Sequence, residues 1–150
     1  MVLNSLKMKK LLIVGVLALS VVACKNKEAE PEVPAGPTQM ESVVAVHDEL
    51  MPKMGEIGQL IAKLEANIDS TNVDSVKVKA VMDLKDANQS MMQWMRDFGT
   101  SFESDEIMKG APLSEEKQKS LDTFEASVNA LKAEMESAME NGAAALEHQQ

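Results

Sequence analysis

Residues 40–68 read MESVVAVHDELMPKMGEIGQLIAKLEANI, and this stretch decides the fold. Met40, Val43, His47, Leu50, Met54, Ile57, Ile61, Leu64 and Ile68 step by alternating three and four residues. That spacing lines one face of a continuous α-helix and is the a/d stripe of a heptad repeat, which is buried only by packing against other helices. No alternating strand pattern competes with it.

Working outward, Asp69-Ser70-Thr71-Asn72-Val73-Asp74 supplies turn and N-cap chemistry. A second stripe follows at Ala80, Leu84, Ala87, Met91, Trp94 or Met95, and Phe98, ending at Gly99. A loop rich in Gly, Ser and acid then runs to Pro112. Ser114 is a good N-cap, with Glu115 and Glu116 placed favourably for the helix dipole. The third stripe is Leu121, Phe124, Val128, Leu131, Met135, Ala138, Gly142 and Ala145. Helices over about 39–68, 74–98 and 114–146, joined by short connections, predict an all-α fold: an antiparallel three-helix bundle with coiled-coil-like heptad packing over 39–147 and a tail at 148–150. A long, narrow bundle buries less than a globular domain, which leaves an apolar edge for a homodimer.

The chain has 150 residues, with 24 acids against 15 Lys and Arg for a net charge of −9. One Cys, two His, one Trp, three Phe and no Tyr exclude a disulfide framework, a thiolate zinc site and an aromatic platform for single-stranded nucleic acid. The acidic surface repels phosphate backbones, so nucleic acid is not an expected partner. Methionine is the abundant residue, at 12 copies.

Upstream, Lys7, Lys9 and Lys10 precede an apolar run from Leu11 to Leu19 and then Ser20-Val21-Val22-Ala23-Cys24. The run is shorter than the roughly 20 residues of a membrane-spanning helix, and small residues replace a stop-transfer flank, so residues 1–23 read as an export signal peptide. Val21-Val22-Ala23-Cys24 resembles the lipobox of bacterial lipoproteins. The resemblance implies cleavage before Cys24, palmitate-type acylation of that cysteine and a membrane anchor, two or more acyl chains being enough for stable attachment. Loss of Lys7, Lys9 and Lys10 leaves the mature chain three charges more negative. Residues 24–38, with Pro31, Pro34 and Pro37, form an extended tether reaching up to about 40 Å at ~3.1 Å per residue. Lys25 stands where an Asp would by analogy mark inner-membrane retention, so a cell-envelope location at the outer membrane is favoured, with the face left open.

The helical part resembles a group of small helical bacterial lipoproteins through His47-Asp-Glu-Leu-Met51-Pro-Lys-Met54 and Met91-Met92-Gln-Trp94-Met95. Members often carry the label "viral A-type inclusion protein", a transfer from coiled-coil similarity that implies no activity.

Those two motifs meet if the first two helices are antiparallel about a turn near residue 71. His47 then faces Met95 and Trp94, Met51 faces Met91, and Met54 lies near Asn88 and Met92, with Leu121, Phe124 and Val128 at the same level. Thioethers of Met51, Met54, Met91, Met92 or Met95 with the His47 imidazole suit Cu(I) or Ag(I). Haem held by His47 and one Met is a further arrangement. The reading preferred is packing: Met fills core gaps and contacts Trp94 and Phe98, while His47 bonds Asn88, Gln93 or an acid at the core edge. No cofactor is therefore expected. Pro52 should kink its helix beside this layer, either opening a pocket or bending the helix around Trp94.

Other chemistry is sparse. Asp69, Asn72 and Asp74 lack calcium-loop spacing, and Glu103, Asp105 and Glu106 read as a solvated acidic loop. Helix-face pairs such as Glu49 with Lys53 contribute a few tenths of a kcal/mol. His148 falls in the tail, no Ser has a base in a nucleophile context, and His47 lacks the Glu three residues earlier that a di-iron bundle requires. The expectation is a lipid-anchored envelope interaction module rather than an enzyme, with a protein partner or second copy, and soft-metal binding as the alternative.

Overall fold

Thr38-Gln39-Met40-Glu41 is a capping box. In the computed structural model, which describes residues 36–69, 71 and 74–147, Thr38 Oγ1 accepts from the Glu41 N–H at 3.2 Å while Glu41 Oε2 accepts from the Thr38 N–H at 2.6 Å. This satisfies two backbone donors at the start of α1 (Gln39–Ala66). Asp74 does the same for α2 (Ser75–Ser101), accepting from the backbone N–H groups of Val76 and Lys77. Ser114 accepts from the Lys117 N–H at 3.2 Å and opens α4 (Glu115–Glu147), as its sequence position predicts. The signal segment, Cys24 and the tether through residue 35 lie outside the described residues, as do residues 70, 72, 73 and the tail with His148.

The fold is an all-helical bundle of four packed helices, with no strand among the described residues. Three helices were expected, and the fourth corrects that count. α3 (Ser104–Lys109) lies in the stretch read as a loop. Its six residues are too few to show an apolar period, so it is set by its ends. Glu103 and Glu106 form a capping box at its start, and Gly110 ends it at φ 65°, a left-handed conformation that costs glycine little. Lys117 Nζ bonds Glu106 Oε2 at 2.6 Å and ties α3 to α4.

Two boundaries also move. α2 passes through Gly99 to Ser101 because the Thr100 and Ser101 hydroxyls donate to the Asp97 carbonyl and Phe102, at the C-cap, is buried. α1 stops at Ala66, leaving Ile68 packed on the core from outside the helix. Pro52 sits exposed within α1, which stays helical through it. Asp48, whose carbonyl loses its usual donor, is also exposed, so water can take that role.

The first stripe packs as two unequal rows. Val43, Leu50, Ile57 and Leu64, every seventh residue, are fully buried, whereas His47, Met54 and Ile61 are half-buried at the edge. On α2 the core takes Ala80, Leu84, Ala87, Met91, Trp94 and Phe98, so Trp94 and not Met95 continues the stripe. From α4 come Leu121, Val128, Leu131, Met135, Ala138, Gly142 and Ala145. A Cβ on Gly142 would lie 2.9 Å from Leu84 Cδ1, and the bare backbone there lets α2 and α4 approach closely.

Polar bonds across the helices fix the registers. Gln39 Nε2 donates to Asp122, Lys132 Nζ to Glu49 and Lys53 Nζ to Glu136, three α1–α4 pairs that all span 83 residues. Glu49 and Lys53 were expected to pair along one helix face. Each instead reaches α4, because both lie beside that seam and the constant offset brings an opposite charge to each. Between α2 and α4 the matched positions run in opposite senses: Leu84 with Gly142, Ser90 with Glu134, Trp94 with Ser127.

Candidate functional site

All of the chain's aromatic side chains gather at one end of the bundle. Trp94 stacks on Phe98 with ring centroids 4.7 Å apart and meets Phe124 edge-on at 5.8 Å; Phe102 closes the cluster against Phe98 and Phe124. His47 stacks on Trp94 from α1 at 6.0 Å. The expected juxtaposition of His47, Trp94 and Phe124 is therefore present. Offset-stacked and edge-on pairs of this kind add about 0.5–1.5 kcal/mol each beyond area burial.

His47 is tied down by its neighbour. Its Nδ1 lies 2.9 Å from Asp48 Oδ1, so an acid, rather than Asn88 or Gln93, is the hydrogen-bond partner. The ring is about one quarter exposed, at the core edge.

The methionines of the two motifs divide by depth. Met91 is fully buried, Met54 and Met95 are half-buried against the core, and Met51 and Met92 stand exposed at 40% and 47%. The structure thus brings His47 to Trp94 but spreads the five sulfurs from core to surface. Among the described residues no group of three or more His, Cys, Asp and Glu side chains is placed to hold a metal ion.

The Trp94 edge opens onto a groove between α2 and α4 that the sequence reading missed. The indole N–H donates to Ser127 Oγ at 2.9 Å, and the Ser127 hydroxyl donates to the Phe124 carbonyl at 2.9 Å. Around this pair lies a hollow of about 660 Å³, floored by Trp94, Phe124 and Leu131 and rimmed by Asp86, Asp97 and Glu134. Ser90 donates to Glu134 across it, and Gln93 donates to Asp97 along α2. A signal was present: Ser127, Ala130, Glu134, Ser137, Asn141 and Ala144 repeat at three and four residues beside the core stripe of α4. They are small or polar and so do not register in a search for apolar periodicity.

Compared with protein-family models, curated proteins and solved structures, the chain matches none. The site is accordingly read from its own chemistry.

Burial pushes the Asp74 carboxyl up, but the Val76 and Lys77 backbone donors and the Lys77 ammonium outweigh it and hold its pKa below the ordinary aspartate value. The Lys117 side chain, followed by the Glu103 N–H, lowers Glu106, and the Lys53 side chain lowers Glu136. Each of these groups sits at a cap or a helix-to-helix pair, where the shift reports structure.

Proposed function

We propose that this chain is a lipid-anchored interaction module of the bacterial cell envelope, attached through Cys24 and built as an antiparallel three-helix bundle of α1, α2 and α4 with α3 as a side brace. A constant 83-residue offset between α1 and α4 suits helices running the same way, and the opposed numbering of α2 against α4 suits a reversal. The observation that carries the functional reading is that the heptad stripes are packed within the chain, leaving acid-rich outer faces on which Met51, Met82, Met92 and Met108 stand exposed. No described helix is long and apolar enough to cross a membrane; in this reading the acyl chains on Cys24 provide the attachment. The module acts by holding a protein partner at the membrane rather than by catalysis.

Two measurements test it. Radiolabelled palmitate is expected to enter the full-length chain and to be lost in Cys24→Ser; incorporation that survives the substitution, or never occurs, ends the anchor. Cross-linking in intact cells is expected to trap one envelope protein reproducibly, and a chain that yields only itself ends the partner.

One observation favours a second reading, soft-metal handling. Asp48 occupies Nδ1 of His47, which leaves Nε2 as the ligating nitrogen, and exposed Met51 follows one helical turn later. A native-state Cu(I) site raises the melting temperature on metal addition and loses that rise in a His47→Leu, Met51→Leu variant. Equal melting with and without Cu(I) removes this alternative.

A further inference from the structure

We propose that the trough between α2 and α4 is the docking site for a basic amphipathic helix of the partner protein. The proposal rests on the interaction-module reading and gives the partner a chemical class.

The three long seams of the bundle are not equivalent. Charge pairs and amide bonds cross the α1–α4 seam at Gln39, Glu49 and Lys53, and the α1–α2 seam carries the Lys85–Glu65 pair and the His47–Trp94 stack. The α2–α4 seam is bridged by two hydroxyl bonds, Ser90 to Glu134 and Trp94 to Ser127. Beside them three hollows of about 660, 250 and 600 Å³ follow one another. The first and second share Asp86 and Glu134; the second and third share Asp83 and Asn141. Together they extend from Asp97 to Ser75 along α2, roughly 33 Å at 1.5 Å per residue.

That shape is an interhelical groove as long as a helix of about six turns. The wall contributed by α4 presents Ala130, Ser137 and Ala144, small side chains over which another helix backbone can lie close. Its electrostatics choose the occupant. Asp86, Asp97 and Glu134 line it, while Lys79, the lining cation among the described residues, and Asp83 are bonded to each other. A helix flanked by Lys or Arg lays its aliphatic stems on the small and apolar wall and its charged heads on these carboxylates. A second copy of this chain, at net charge −9, meets the trough with like charge.

The test uses the full-length chain and a fluorescein-labelled synthetic peptide of about 21 residues, six helical turns, with Ala and Leu on one face and Lys on both flanks. Binding is followed by anisotropy at physiological salt. Ala130→Phe and Ser137→Phe fill the trough at exposed positions, Glu134→Lys reverses its charge, and Glu56→Lys makes the same reversal on exposed α1 outside it. Helical melting curves confirm that each variant folds. The expected result is saturable binding, weakened at least tenfold by either Phe substitution and by Glu134→Lys, and changed less than twofold by Glu56→Lys. The proposal is overturned by absence of binding, by equal losses at Glu134 and Glu56, or by filled variants that bind as before. Concentration-dependent dimerisation abolished by Ser137→Phe assigns the trough to a second copy and overturns it equally. A chain that is palmitoylated and cross-links to its envelope partner yet ignores the peptide ends this inference alone. One that binds the peptide without acylation ends only the anchor.

Discussion

The indole N–H of Trp94 donates to Ser127, and Ser127 spends its own proton on the Phe124 carbonyl. The hydroxyl is therefore committed in both directions, accepting from α2 while donating within α4. This two-step relay fastens the aromatic end of the bundle to the rim of the α2–α4 trough.

Ser127→Ala removes the hydroxyl that accepts from that indole and leaves the donor at the groove edge. A loss of about 1 kcal/mol is expected in denaturant unfolding, with Ser127→Thr close to wild type. Because Trp94 is the sole tryptophan, its emission reports the same change directly, and an emission maximum unchanged by Ser127→Ala contradicts the relay.

Adjacent methionines separate burial from composition. Met91 is fully buried and Met92 is 47% exposed, although they are neighbours of identical chemistry. Met91→Ala is expected to cost about 2–5 kcal/mol and Met92→Ala to stay within about 0.5 kcal/mol. Urea melts of the two variants check this, and comparable losses would place α2 in a different rotation.

Gly142 packs directly against Leu84 where α4 meets α2. Placing Leu there drives several carbons into fully buried Leu84 and is expected to lower stability by about 1–3 kcal/mol, despite leucine's better helix propensity. A Gly142→Leu, Leu84→Ala double variant recovers part of the loss if the two side chains compete for one space. Strict additivity in thermal unfolding argues against that contact.

Acid is expected to loosen the caps and pairs together. Glu41 is lowered by the Thr38 backbone N–H, then by its hydroxyl; Glu106 by Lys117; Glu136 by Lys53; and Asp74 by its backbone donors and Lys77 acting against burial. A depressed carboxyl contributes its full stability above the unfolded value, 4.5 for Glu and 3.8 for Asp, and loses it as pH falls through the lower folded value. Melting temperature should therefore be flat just above pH 4.5 and decline below it, and Glu106→Gln should flatten the decline. Lys132, raised by its bond to Glu49, acts oppositely: its contribution is complete below 10.5 and fades as pH climbs through the higher folded value.

Much of this architecture is legible in the sequence. The stripe from Met40 to Leu64 carried its own face, and Asp74 and Ser114 announced their helices because a capping side chain must precede the first turn. The meeting of His47 with Trp94 followed from folding the chain about a turn near residue 71. What escaped detection depended on partners distant in sequence or on segments too short for periodicity. Glu49 and Lys53 sit four residues apart and look like a pair, yet each finds a closer opposite charge across the seam. α3 has six residues and depends on Glu103, Glu106 and Gly110 rather than on an apolar face. The trough was hidden for a related reason, since its walls are the small and acidic positions that a search for core residues passes over.

The aromatic cluster has a mechanical consequence. Phe98, Phe102 and Phe124 lie at the same end as Thr38, where α1 begins and Gln39 is bonded to Asp122 and Glu125. The opposite end is packed by Leu64, Ala80, Val81, Leu84, Gly142 and Ala145, aliphatic and small residues without an aromatic ring. Any pull transmitted along the chain preceding Thr38 therefore enters at the aromatic end. The load is shared at once among stacked rings and amide bonds.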